Sequence, residues 1–251
     1  MKKWTEYLEA VKAFSAEWAE PQWMTDLRIN ALNKIDELPL PVIEKVKFAR
    51  WNLYNVKPEH QAAAGTIPSF DQMKDNPMIV QTGETTVFEQ ISPKLADQGV
   101  IFTDLVTAIQ EHPELVKEYY MTKAVPVEEN SLTALHAAFM NNGVFLYVPK
   151  NVVIEEPLES LFIHNGDEES HFFKHVLIVA EDNSEFSYLE RFESQGAAAK
   201  KLSGNVVVEV ITKPGARVKF AAVDSLGENI TTYMNRRGYL MRDSMIDWAL
   251  G

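Results

Sequence analysis

The hydrophobic pattern changes character near residue 143. Ahead of it, Trp4, Leu8, Val11, Phe14 and Trp18 recur at spacings of four, three, three and four, which lines one face of a helix. In "AEPQWMTDLRINAL", Pro21 stands where a second helix begins, because proline is tolerated at the first helical position. The prolines of "LPLP" at residues 38–41 then stop that helix, since neither supplies a backbone N–H. "ARWNLYNV" reads as a short strand or an extended arm. Residues 60–99 are looser, with "MIVQTGETTVFEQI" predicting a hairpin that turns at Gly83. "GVIFTDLVTAIQEHPELVKEYY" predicts a strand, a helix from about Asp104 and another opening at Pro113. "SLTALHAAFMNNG" predicts a helix with Ser131 as N-cap and Asn142-Gly143 as its stop.

Beyond Gly143 the apolar runs become short and the corners frequent, which predicts very short strands. Candidate turn tips at Asn151, Asn183, Gly215 and Asp243 recur 32, 32 and 28 residues apart. Each is preceded by an apolar run ("GVFLYV", "HVLIVA", "VVVEVI", "RRGYLM"). Each is followed by a related phrase ("VVIEEPLESLFI", "SEFSYLERFES", "ARVKFAAVDSL", "SMIDWALG"). Self-similarity at a fixed period without helices predicts a β-solenoid, here a parallel β-helix. A sandwich of hairpins is the rival reading, because "TKPGARV" and "AEDNSEF" also pass as hairpin turns. The organisation expected is therefore a helical, mixed α+β region over residues 1–142 and a parallel β-helix over residues 143–251.

Composition narrows the function. The chain has 251 residues and a net charge of −12, and no basic stripe offsets that charge, so nucleic acid and anionic membrane surfaces are not expected partners. No window approaches the ~20 apolar residues of a membrane span. "MKKWTEYLEA" has no apolar stretch behind its lysines, so it is not a secretory signal and a cytoplasmic location is the expectation. The glycosylation triplet at Asn229 is then accidental. Cysteine is absent, which leaves only His, Asp and Glu for metal chemistry.

Few residues invite a chemical role. "DEESHFFKH" at residues 167–175 places His171 and His175 on one side of a strand near three acids, but no spacing there is diagnostic of a metal site. His136, in "LTALHAAF", reads as a core histidine, and His164 as the last residue before a turn. "TKPGARVKF" lacks the G-x-x-x-x-G-K-[ST] needed to wrap a phosphate. Arg236, Arg237, Arg242 and Asp243 cluster near the last repeat. They read as a solvated or interface face, or as the groove of a polysaccharide lyase-like β-helix enzyme. No catalytic, cofactor-binding or metal-ligating residue is assigned.

"EPQWMTDLRINALNKIDELPLP" with "ARWNL", and at greater length "GVIFTDLVTAIQEHPELVKEYYMTKAVPVEENSLTALHAAFMNNGVFLYVPKNVVIEEPL", resembles the SufB/SufD family of the SUF iron–sulfur cluster assembly system. The helical opening looks more like SufD than SufB. The resemblance implies a right-handed parallel β-helix flanked by helices, in a non-catalytic scaffold that pairs with a SufB-like subunit and a SufC-like ATPase of the ABC type. It implies no cofactor resident in this chain, the cluster being held only transiently in the full complex. The family's ligand residues lie towards the far end of its β-helix, and no position here matches them. The chain stops inside a repeat on apolar Trp248, Ala249 and Leu250, so it is expected to be an N-terminal portion whose open strand edges invite pairing of two copies. A stand-alone interaction module is the remaining alternative.

Overall fold

The computed structural model describes residues 3–56, 76–165, 172–196 and 201–251. A 3-10 turn (Lys3–Tyr7) runs into α1 (Leu8–Glu17), and α2 (Gln22–Lys34) follows, with Pro21 as its extended N-cap residue. The arm after "LPLP" forms no strand among the described residues, only a 3-10 turn at Phe48–Arg50. Strands β1 (Met78–Thr82) and β2 (Thr85–Gln90) make the expected antiparallel hairpin, with Gly83 at φ 57°. After α3 (Pro93–Asp97) come β3 (Ile101–Asp104), α4 (Leu105–Glu111), whose N-cap is Asp104, and α5 (Pro113–Tyr119).

The next helix, α6 (Ser131–Phe139), differs from expectation at its start. Asn130 is the N-cap, its side chain accepting from Leu132 and Thr133 N–H, while the Thr133 hydroxyl accepts from Asn130 N–H. That reciprocal box satisfies donors that Ser131, already inside the helix, is not placed to reach. The helix ends at Phe139, and Asn142 turns the chain at φ 93° into β4 (Gly143–Val148).

Seven further strands follow: β5 (Leu158–Asn165), β6 (Phe172–Ala180), β7 (Glu185–Gln195), β8 (Leu202–Thr212), β9 (Arg217–Ser225), β10 (Ile230–Leu240) and β11 (Met245–Leu250). They stack in parallel into two sheets, ordered β11-β9-β7-β5-β1-β2 and β10-β8-β6-β4-β3. The chain alternates between the sheets, one strand of each per turn, so the fold is a β-solenoid. The hairpin sandwich is excluded by the parallel register, in which Val148 lies beside Ala180 and Ala180 beside Thr212. All four turn tips have left-handed backbone, with φ of 62°, 56°, 73° and 58° at Asn151, Asn183, Gly215 and Asp243. The strands outgrow the very short ones expected, since β7, β8 and β10 reach 11 residues each. The last rung is shorter, pairing Leu240 with Thr212, because only residues 226–229 connect β9 to β10.

Burial explains the composition of the two sheets. Between them lies one core, with Val144, Val176 and Val208 from one side and Phe162, Phe192 and Phe220 from the other. The outer face of the β4-β6-β8 sheet carries Phe145, Phe173, Leu177 and Ile211 into a second core shared with α2, α6 and the N-terminal turn. Those strands are buried on both faces and hence are mostly apolar, interrupted by buried polar residues such as Lys174, His175, Asn205 and Glu209, whereas β7 and β9 alternate because one face meets solvent. The hairpin extends one sheet through β1, parallel to β5, and β3 closes the near edge of the other, antiparallel to β4.

Candidate functional site at the seam between helices and solenoid

The polar groups most out of keeping with their surroundings lie where the helices cover the solenoid. Glu209 projects from the middle of "VVVEVI" on β8 and is fully buried. Its Oε2 accepts from Met121 N–H at 2.7 Å and its Oε1 from Val125 N–H at 2.9 Å, which pins the connection between α5 and α6 to the sheet. His175 on β6 places Nε2 3.2 Å from Glu209 Oε2, and its Nδ1 lies 3.0 Å from His136 Nε2 on α6. Tyr120 stacks at a tilt over His175, with ring centroids 4.4 Å apart. Burial raises the Glu209 carboxyl to about 7 and lowers the His175 imidazole to about 3. His136 is driven well below its ordinary value, by burial first and by His175 second.

A second buried anchor joins α2 to the C-terminal end of α6. Arg28 binds Glu20 through Nε and Nη2, the shortest contact being 2.6 Å, and both side chains are fully buried. Arg28 Nη1 also donates to the carbonyls of Ala138 and Met140, groups that a helix end leaves without intrahelical partners.

Inside the solenoid, Lys174 donates to Gln81 Oε1 at 3.2 Å and to the Asn141 carbonyl at 3.0 Å. Burial brings its ammonium down to about 7. Further along, Arg236 on β10 clamps Glu190 at 2.9 Å and Asp224 at 2.7 Å. Burial raises Glu190 to about 7 even though Arg236 pulls the other way. On the exposed face, Glu155, Glu185, Arg217 and Lys219 border a groove of about 510 Å³ between Val153 and Met245. Charges of both signs line it, and they select no single class of ligand.

The sequence-level candidates are placed as follows. His136 is a core histidine, and its partner is His175, 39 residues away. His171 and the acids of residues 167–169 lie outside the described residues. Among the described residues, no group of three or more His, Asp or Glu side chains is arranged to hold a metal. His164 is the next-to-last residue of β5 and is buried, its Nδ1 3.5 Å from Ser194 Oγ, and the residues that follow Asn165 lie outside the described ones. The arginine cluster does not form one groove. Arg236 turns inward to Glu190, Arg237 is tied to Glu129 and the Ala124 carbonyl, and only Arg242 with Asp243 is fully exposed. Glu209, Lys174, Arg28 and Glu190 were not singled out from sequence. Their signal was there, since a charge inside an apolar run buried on both faces requires a partner.

Fold and seam together define a class: a two-sheet β-solenoid whose helical head is fixed to one sheet by buried polar links. The chain belongs to the SufB/SufD family, since residues 69–159 match the model of the SufBD protein N-terminal region and residues 162–251 match that of the SUF system FeS cluster assembly SufBD core domain. The iron-sulfur cluster assembly protein SufD of Bacillus subtilis (strain 168) is 41% identical over 256 residues, covering 97% of this chain and 58% of its own length. An iron-sulfur cluster assembly SufBD family protein of Staphylococcus aureus (strain MRSA252) is 27% identical, covering 92% of this chain and 53% of its own length. One from Staphylococcus haemolyticus is 26% identical, covering 96% and 55%. The chain therefore spans somewhat more than half the length of these relatives, and SufD is the more similar branch. No helix among the described residues is long and apolar enough to cross a membrane.

Proposed function

We propose that this chain is the solenoid-bearing part of a SufD-type scaffold subunit in iron–sulfur cluster assembly. It works by shape: it presents a stiff stack of coils to a SufB-like subunit, with a SufC-like ATPase supplying the energy of nucleotide binding. The cluster is cargo of the complex, held transiently, and its thiolates come from a partner, because this chain contributes 0 cysteines. The observation that carries the reading is the likeness to Bacillus subtilis SufD along 97% of the chain. It is supported by the engagement of the buried charges Arg28, Glu209 and Arg236 with neighbouring groups rather than with an open cleft. The reading places the protein in the cytoplasm and gives it no catalysis of its own. Anaerobic reconstitution of the chain with iron and sulfide tests it. The protein is expected to emerge colourless after desalting, and a stoichiometric bound cluster would overturn the assignment of the thiolates to a partner.

A further inference from the structure

The arm that follows α2 displays apolar side chains that the fold does not use. Val42 is 96% exposed, Ile43 52% and Trp51 47%. Surface hydrophobics scattered singly are ordinary, but these three sit close together on backbone that is held still. Phe48, Leu53 and Val56 are buried beneath the arm, and the Phe48 ring meets Tyr233 of β10 edge-on at 5.8 Å. Ser203 Oγ on β8 donates to the Asn52 carbonyl at 2.6 Å and accepts from Asn55 N–H at 3.3 Å. Val46 N–H closes a turn on the Ile43 carbonyl, and Arg50 N–H closes the next on Lys47. Turns of this kind hold their ends within ~7 Å, so about eight residues of extended chain reach from Val42 to Trp51.

Charge sets the arm apart as well. Residues 42–52 carry Lys45, Lys47 and Arg50 against Glu44 alone, a local excess of positive charge in a chain of net −12. All four are exposed, and none of the three cations makes an ion pair or a side-chain hydrogen bond among the described residues. Lys45 has φ 68°, left-handed backbone that glycine adopts without the steric cost a lysine bears. An unpaired cation kept at such a position answers a need outside the fold.

We infer that this arm docks a short extended segment of a partner protein, one that alternates apolar residues with Asp and Glu. Val42, Ile43 and the Trp51 ring take its apolar side chains, and Lys45, Lys47 and Arg50 take its carboxylates. The Arg50 guanidinium offers a planar fork and the Trp51 indole an N–H, both suited to a carboxylate. Other occupants fit less well. Two-fold pairing of copies sets the same cations against one another, on bodies that are both strongly acidic. The excess on one arm is also too small to offset the repulsion between the rest of the chain and an anionic membrane or a nucleic acid. The inference stands apart from the scaffold reading, since it requires neither a SufB-like nor a SufC-like protein.

Fluorescence anisotropy tests it, with the whole gene product containing this chain titrated into two labelled peptides. One is Asp-Leu-Asp-Phe-Glu-Leu-Asp-Phe-Glu, and the other carries lysine at every acidic position. The acidic peptide is expected to bind at least about tenfold more tightly than the basic one, and about tenfold more weakly to K47E/R50E. V42S/W51S is expected to weaken it by a similar factor while keeping the salt dependence, because the charges remain. These four side chains are exposed, so both double variants keep the fold. Equal affinity for the two peptides, binding of neither, or binding indifferent to both variants would overturn the inference. So would attachment to phosphatidylserine vesicles that K47E/R50E abolishes, or a dimer in native mass measurement that V42S/W51S dissolves. None of these outcomes touches the scaffold reading.

Discussion

At Gly215 the backbone turns at φ 73°, and a Cβ there would stand 2.4 Å from Asn183 Oδ1. The Asn183 amide in turn donates to Asn151 Oδ1 one coil earlier, at 3.1 Å. The tips thus form a polar stack in which the third member must be small and left-handed at once. Gly215→Ala is expected to destabilise the protein by about 1–3 kcal/mol, from the φ penalty and the displaced Asn183 together. Urea unfolding checks this, and an unchanged midpoint would show that the stack yields freely. Tips of this kind are legible in sequence because Asn, Asp and Gly are the residues that tolerate left-handed backbone. Glu209 and His175 were not legible as a pair. Their meeting depends on strand register and on α6 lying across the sheet, which no local pattern encodes. What sequence did offer was the anomaly of a lone carboxylate in "VVVEVI", a demand for a partner without the partner's name.

Among the elements, α2 and α6 depend on each other through Arg28. The guanidinium neutralises Glu20 and caps the carbonyls of Ala138 and Met140 with the same planar fork. Removing it leaves Glu20 buried and unpaired, so Arg28→Leu is expected to cost about 3–5 kcal/mol. Thermal or chemical unfolding measures the loss, and a cost below about 1 kcal/mol would mean that the α1–α2 corner repacks to hydrate Glu20. The helices themselves were readable from the apolar stripe of Trp4 to Trp18, from Pro21 and from Asp104. The cap of α6 was displaced by one residue because Asn130 and Ser131 are both good capping types, and only the Thr133 hydroxyl decides between them. The strands came out longer than expected for a physical reason. Parallel neighbours on both sides let the ladder run into polar sequence such as "ERFESQ", where a local reading ends the strand.

For the whole molecule, the parallel stack and the helical head answer different needs. The stack repeats one left-handed corner at Asn151, Asn183, Gly215 and Asp243, once per coil. The head buries one sheet and closes the near edge with β3, while the hairpin closes the other sheet. Under the proposed scaffold role, such a body works through its faces rather than through a cleft. Co-expression of the whole gene product containing this chain with SufB-like and SufC-like proteins, followed by affinity capture and native mass measurement, tests that account most directly. The account predicts a stoichiometric complex containing all three. Recovery of the captured protein alone, with both candidate partners well expressed, would contradict it.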